Sequence, residues 1–201
     1  MKLYYAPGAC SLSPHIVSRE AGYELELEQV DLREKKTKTG KDFLSINPKG
    51  QVPVLEIDAG QRLTEGPVIL QYLADQKNAT DLMPAAGTPE RYRVQEWLNF
   101  VASELHKTYG PLFRPTTPDE FKRLSKEVIG KRLDWIDQQL AGKHYLMGDK
   151  FTAADAYLFT VLRWSPRVEI DLSKWPNVKA YVDRVAARPK VQEAMKAEGL
   201  Q

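Results

Sequence analysis

The sequence predicts an α/β domain built in the order βαβ then ββα, followed by an all-α domain. Three observations carry this. Short apolar runs alternate with helical stretches over residues 1–77; residues 78–88 shift to Asn, Asp, Pro, Gly and Thr; and from residue 89 to 201 the apolar positions recur at helical spacing. The first segment is read as one domain, the second as a linker and the third as a helical domain.

Lys2–Tyr5 reads as a strand. After the turn Ala6-Pro7-Gly8-Ala9, Ser13 and Pro14 supply an N-cap and a first helical residue, and Gly22 closes that helix. Leu25, Leu27 and Val30 alternate with charged residues up to Asp31, so a second strand completes a βαβ unit. The cationic stretch Arg33 to Lys41 reads as loop with a short helix. Val52–Ile57 is a third strand, Asp58-Ala59-Gly60 a turn, and Arg62–Thr64 a fourth strand antiparallel to the third. Gly66-Pro67 opens a helix whose apolar face is Val68, Ile69, Tyr72 and Leu73.

Thr88-Pro89-Glu90 starts a long helix with Trp97, Leu98, Val101 and Leu105 on one face, ending near Gly110-Pro111. A second run, Pro118 to Ala141, places Phe121, Leu124, Val128, Leu133, Ile136 and Leu140 on one stripe. Thr152 and Asp155 form a capping box ahead of an apolar helix running towards Trp164. A helix over Asn177–Arg188 and a short C-terminal one complete the half.

With 29 Lys+Arg against 27 Asp+Glu the chain lacks the basic footprint that nucleic acid requires. No apolar run approaches the roughly 18 residues that span a bilayer. Met1 leads straight into a strand without the pattern of a secretory segment. The expectation is a cytoplasmic protein with neither nucleic acid nor membrane as partner. Cys10 is the one cysteine, so no intramolecular disulfide forms, and with only three histidines no metal site is expected.

Several residues are candidates for chemistry. Cys10 lies at the mouth of the first helix, where backbone N–H groups and the helix dipole favour thiolate; the alternative is a buried, inert thiol. Cys10-Ser11-Leu12-Ser13 lacks a second cysteine, which leaves only a mixed disulfide with an external thiol. Pro53 opens a strand. A cis Val52-Pro53 bond presents the Val52 main chain to a peptide-like ligand, whereas a trans bond simply ends a loop. Glu65 and Gly66 place a carboxylate and bare N–H donors at a helix start, which suits an amino-acid end of a ligand, or else plain capping. Asn99, Ser103, His106 and Lys107 share one face of the long helix, with Glu104 beside them; this face lines a cleft or is merely solvated. Arg163, Trp164 and Arg167 suggest an aromatic-cationic pocket, although Trp164 suits a core equally well. His15 and His144 read as routine histidines.

Five segments together resemble the bacterial beta class of the glutathione transferases: Tyr4-Tyr5-Ala6-Pro7-Gly8-Ala9-Cys10-Ser11-Leu12-Ser13, Asn47 to Pro53, Leu63 to Gly66, Trp97-Leu98-Asn99 with Glu104 to Lys107, and Phe151 to Phe159. The resemblance runs nearly end to end. It implies a thioredoxin-like domain for glutathione, a helical domain for a hydrophobic electrophile, and a homodimer. It further implies that Val52 and Pro53 seat the cysteinyl unit, Glu65 and Gly66 the γ-glutamyl end, and Lys35 the glycyl carboxylate. Asn99, Ser103 and Glu104 add γ-glutamyl contacts, some from a partner subunit. Cys10, Ser11, His106 and Lys107 act at the sulfur with Tyr5 as an auxiliary donor, and Trp164 and Arg167 face the second substrate. Gly66 stands where relatives frequently carry serine, which removes a hydroxyl and keeps the backbone donor.

The implied activity is conjugation of glutathione to small hydrophobic electrophiles as a detoxification step, with thiol–disulfide exchange or dehalogenation as a second activity. Two alternatives stand beside it. One is a glutathione-dependent disulfide oxidoreductase working through Cys10; the other is a non-catalytic binding protein of the same fold.

Overall fold

The computed structural model describes residues 1–58 and 60–200. Ala59, in the middle of the turn expected at Asp58-Ala59-Gly60, lies outside the described residues. The chain forms two compact units, Met1–Met83 together with the segment from Arg188 onward, and Pro84–Ala187. Composition places the boundaries elsewhere: Leu82 and Met83, inside the expected linker, are buried and belong to the first unit, and the last helix returns to it.

The first unit holds a five-stranded sheet of order β3-β2-β1-β4-β5. Its strands are β1 (Lys2–Tyr5), β2 (Glu26–Asp31), β3 (Lys36–Thr37), β4 (Val54–Glu56) and β5 (Arg62–Leu63). β1 runs parallel to β2 through α1 (Leu12–Glu20), the βαβ unit expected, and antiparallel to β4 with Leu3 opposite Leu55. The β4–β5 pair and α2 (Gly66–Gln76) complete the ββα half of a thioredoxin-like domain. Alternation along β1 sends Tyr4 to a cluster with Val30, Phe43, Ile46, Val52 and Val54. This cluster lies beneath the loop that carries Val52. α1 packs against α2 and against α8 (Pro189–Ala197).

Several local expectations change. α1 begins at Leu12, because Cys10 and Ser11 already form the turn, and Ser13 lies inside the helix with its hydroxyl on the Cys10 carbonyl. The Arg33–Lys41 stretch holds no helix; Lys36 and Thr37 pair with β2 instead. On α2 the buried positions are Ile69, Leu70, Leu73 and Ala74, and Val68 is exposed.

The second unit is helical. α3 (Pro89–Phe100) is capped by Thr88, whose hydroxyl accepts from the Arg91 N–H. The helix then widens to a π-helical segment over Val101–His106, resumes as α4 (Lys107–Tyr109) and tightens to a 3-10 turn over Gly110–Phe113. α5 (Asp119–Leu140) buries Ser125, Ile129, Leu133, Ile136 and Leu140. The predicted stripe therefore holds only in its C-terminal half: Phe121, Leu124 and Val128 stand 52%, 43% and 39% exposed.

α6 (Ala153–Leu162) is buried on all sides, and α7 (Pro176–Ala186) packs on it. The expected capping box forms, and its carboxylate does more than cap. Asp155 Oδ2 accepts from the Thr152 N–H and hydroxyl, each at 2.8 Å, while Oδ1 accepts from the Leu146 N–H at 2.9 Å and the Tyr181 hydroxyl at 3.2 Å. Burial outweighs these four donors, which favour the charged form, and leaves the Asp155 carboxyl raised to about 6. No helix among the described residues is long and apolar enough to cross a membrane.

Removing the carboxylate strands buried donors on three elements at once. Asp155→Ala is expected to lower stability by about 3–5 kcal/mol in urea unfolding at neutral pH. A loss under about 1 kcal/mol would show that solvent replaces these bonds at little cost.

Candidate functional site

The turn between β1 and α1 is closed by Ser11. Its hydroxyl accepts from the Ala6 N–H at 3.1 Å and donates to the Ala6 carbonyl at 3.2 Å. Ser11 is thus committed to the turn, and its hydroxyl proton is not offered to a ligand sulfur, contrary to the catalytic role expected for it. Cys10 follows from that turn with its thiol donating to the Val52 carbonyl at 3.2 Å. Although the residue keeps some exposure, burial pushes the thiol up to about 12; the N–H groups of Cys10 and Ser11 oppose this, and the Glu65 charge adds to the rise. The expected thiolate is therefore replaced by a neutral S–H donor, because desolvation outweighs two backbone donors. Tyr5 is buried, its ring against His15 at 6.4 Å, and burial and then the Glu198 charge raise its hydroxyl pKa, so it is a poor proton donor.

The loop from Asn47 to Pro53 is built by its own side chains. Asn47 Nδ2 donates to the Gln51 carbonyl at 2.7 Å, its Oδ1 accepts from the Lys49 N–H, and the Gly50 N–H returns to the Asn47 carbonyl. Gly50 has φ +61, and a Cβ there would meet Leu44 at 3.2 Å and Lys35 at 3.3 Å. Lys35 Nζ donates to the Gly50 carbonyl at 2.9 Å. The loop ends in a cis Val52-Pro53 bond, the first of the two alternatives the sequence left open.

Glu65 precedes α2 with φ +68, an uncommon conformation for a residue with a Cβ and one associated with functional sites. Its carbonyl accepts from the N–H groups of Val68 and Ile69, while Gly66 begins the helix. Lys49 Nζ bridges Thr64 Oγ1 at 3.0 Å and Glu65 Oε1 at 2.5 Å. The first unit thereby brings together Cys10, Lys35, Lys49, Val52, Pro53, Glu65 and Gly66 around one strand edge and two helix starts. Lys49 was missed at the sequence level, although it sits in the Asn47–Pro53 motif.

In the second unit the π-helical segment separates residues expected on one face. Asn99, Ser103 and Lys107 are exposed, with the Ser103 hydroxyl on the Asn99 carbonyl. His106 is half-buried instead: Nδ1 lies 2.7 Å from the Tyr157 hydroxyl, and its ring meets Trp164 edge-on at 4.9 Å. Such segments recur at functional sites because the wider turn redirects a side chain without ending the helix. Glu104 is taken by Arg132, whose Nε and Nη2 approach one carboxylate oxygen at 3.1 and 2.7 Å, so it is not held out for a ligand as expected. Trp164 sits among His106, Tyr109 and Phe113, with Phe113 45% exposed, while Arg167 is exposed on the following turn. Three aromatic rings stand against the Trp164 ring, and the Arg167 N–H donates to the Trp164 carbonyl at 3.0 Å. Tyr157 escaped the sequence reading because its place in an apolar helical run gives it a core explanation, and Phe113 because it lies between the two predicted helices, outside any periodic pattern. Among the described residues no group of three or more His, Cys, Asp or Glu is placed to hold a metal ion.

Comparison with known proteins covers both units of the chain. The family description "Glutathione S-transferase, N-terminal domain" matches residues 1–75, and "Glutathione S-transferase, C-terminal domain" matches residues 100–189. The chain is 48% identical to glutathione S-transferase GstA of Escherichia coli O157:H7 over 200 residues, covering 100% of each. A sphingomonad glutathione S-transferase solved with glutathione superposes with a TM-score of 0.95 at 47% identity, covering 100% of each chain. A beta-class glutathione S-transferase of Sphingomonas chungbukensis gives 0.96 at 48% identity, again over 100% of both. With both domains matched and full-length identity near one half, the chain belongs to the glutathione S-transferase family and to its bacterial beta class.

Proposed function

We propose that the chain conjugates glutathione to small hydrophobic electrophiles. The observation that carries this reading is the three-point anchor in the first unit: the Val52 main chain beside a cis proline, the Cys10 thiol pointed at it, and the Glu65–Gly66 helix start. A cysteinyl main chain pairs with the first, a sulfur lies against the second, and a γ-glutamyl group has a carboxylate and N–H donors at the third. Lys35 is proposed for the glycyl carboxylate, and Lys49 steadies Glu65. In the reaction the glutathione thiol gives its proton to solvent. Its sulfur then forms a bond to the electrophilic carbon as the leaving group departs with the electron pair, yielding a thioether.

The neutral Cys10 thiol is suited to donate to the glutathione thiolate, lowering its pKa as any donor to the charged form does. Disulfide exchange through Cys10 needs its own thiolate, which burial disfavours, so that activity ranks second. His106 and Lys107 are proposed to assist at the sulfur, Asn99 and Ser103 to add γ-glutamyl contacts, and Trp164 to face the electrophile. Homodimerisation is supported by the uncovered Phe121, Leu124 and Val128 on α5. Sedimentation giving a monomer would remove it. Detoxification in the cytoplasm, where glutathione is abundant, is the role we assign.

With an aryl halide and glutathione, turnover is expected well above the uncatalysed rate, and Cys10→Ala is expected to keep activity within about tenfold because one donor, not the nucleophile, is lost. No rate above glutathione alone would reject the proposal. Glu65→Gln is expected to raise the KM for glutathione about tenfold with a smaller change in kcat, since its contact exists equally in ground and transition states. An unchanged KM would move the γ-glutamyl site elsewhere. The ligand-free Cys10 thiol is expected to react with iodoacetamide at a rate that rises with pH past 9 without levelling, because thiolate is the reactive form and its folded pKa is about 12. A plateau below pH 8 would restore the thiolate.

A further inference from the structure

Glu198 is a buried carboxylate with no part in the chemistry above. It follows α8, its side chain is 0% exposed, and both of its oxygens are used. Oε2 accepts from the Gly8 N–H at 3.0 Å, and Oε1 lies 2.9 Å from His15 Nδ1. Arg19 Nε donates to His15 Nε2 at 3.2 Å, so Nε2 is the acceptor and Nδ1 carries the proton that goes to Glu198. Arg188 on the same segment adds a two-bond pair to Glu20 at 2.8 and 2.9 Å.

An apolar side chain would pack α8 on α1 without the cost of burying a charge. What the carboxylate adds is direction. It grips one particular main-chain N–H, that of Gly8, which has φ +70 and stands two residues before Cys10. The same turn is held on its other side by Ser11 and Ala6. The Cys10 thiol reaches the Val52 carbonyl only if Gly8 and Ala9 keep their course.

We propose that Glu198, held by His15, is a positioning residue that fixes the Gly8–Cys10 turn and so sets the sulfur against Val52. The proposal rests on the reading of this turn as part of the glutathione site, and it acts through the main chain, not through contact with substrate.

The test compares the full chain with Glu198→Ala and Glu198→Gln by amide hydrogen exchange, by Cys10 alkylation without glutathione, and by KM and kcat with glutathione. In Glu198→Ala the Gly8 amide is expected to exchange at least about tenfold faster while β4 and α2 amides keep their native rates. Alkylation is expected to speed up by about tenfold as the thiol leaves Val52, and KM for glutathione to rise more than kcat falls. Glu198→Gln keeps an oxygen for Gly8 and is expected to lie between the two. If the alanine variant does not fold, the glutamine variant carries the same readouts. Gly8 exchange and Cys10 alkylation within about twofold of native, or a uniform rise across all amides, would overturn the proposal. Failure of the native chain to bind glutathione would instead strike the functional reading and leave the two glutathione-free measurements to judge Glu198.

Discussion

The reciprocal hydrogen bonding of Ser11 with Ala6 is the constraint on which the first unit's chemistry depends. A strand that ends and a helix that begins within a few residues expose a run of unpaired N–H groups. Here one hydroxyl closes the turn from inside, which leaves the N–H groups of Cys10 and Ser11 directed at the sulfur. The loop that meets it is equally self-determined: Asn47 bonds to both Lys49 and Gln51, and Gly50 takes a positive-φ conformation in which an added Cβ would press tightly on the Leu44 and Lys35 side chains. The two sides are joined by the weak bond from Cys10 to Val52. A thiol so placed is poised to give a hydrogen bond rather than a pair of electrons.

The helical unit is organised around a different principle. Its central helix α6 is buried throughout, and its one carboxylate, Asp155, collects donors from Leu146, Thr152 and Tyr181. Around that rigid centre the long helix is allowed to depart from regular geometry. The π-helical segment turns His106 towards Tyr157 and Trp164, while Asn99, Ser103 and Lys107 remain exposed. A rigid core paired with one irregular turn is how a helical scaffold presents a side chain at an angle that regular spacing cannot reach.

Apart from the short strand β3, the order of strands and helices was legible in the sequence because most elements carry their own signal: the alternation at Leu25, Leu27 and Val30, the Gly66-Pro67 start, and the Thr152–Asp155 box. Motif residues such as Cys10, Val52 and Glu65 were legible for the same reason, since turn chemistry is local. What could not be read was set by tertiary contacts. The Cys10 pKa depends on burial in the folded unit, where the thiol meets Val52 from 42 positions away, so the helix dipole alone points in the wrong direction. Helical periodicity gave Phe121, Leu124 and Val128 as core although the helix is covered only further along. His15 and Glu198, separated by 183 positions, offer no pattern that links them.

The first unit is discontinuous: α8 and Glu198 return to it after the whole of Pro84–Ala187 has intervened. On the ribosome, the N-terminal segment therefore emerges with the Gly8 turn lacking its carboxylate and waits while the helical unit is synthesised. Loop-closure entropy over so long a separation makes this joining a late event. The cell thus receives a cysteine-bearing turn in finished form only after the helices that follow it have been made, which ties the maturation of one half of the enzyme to the completion of the other.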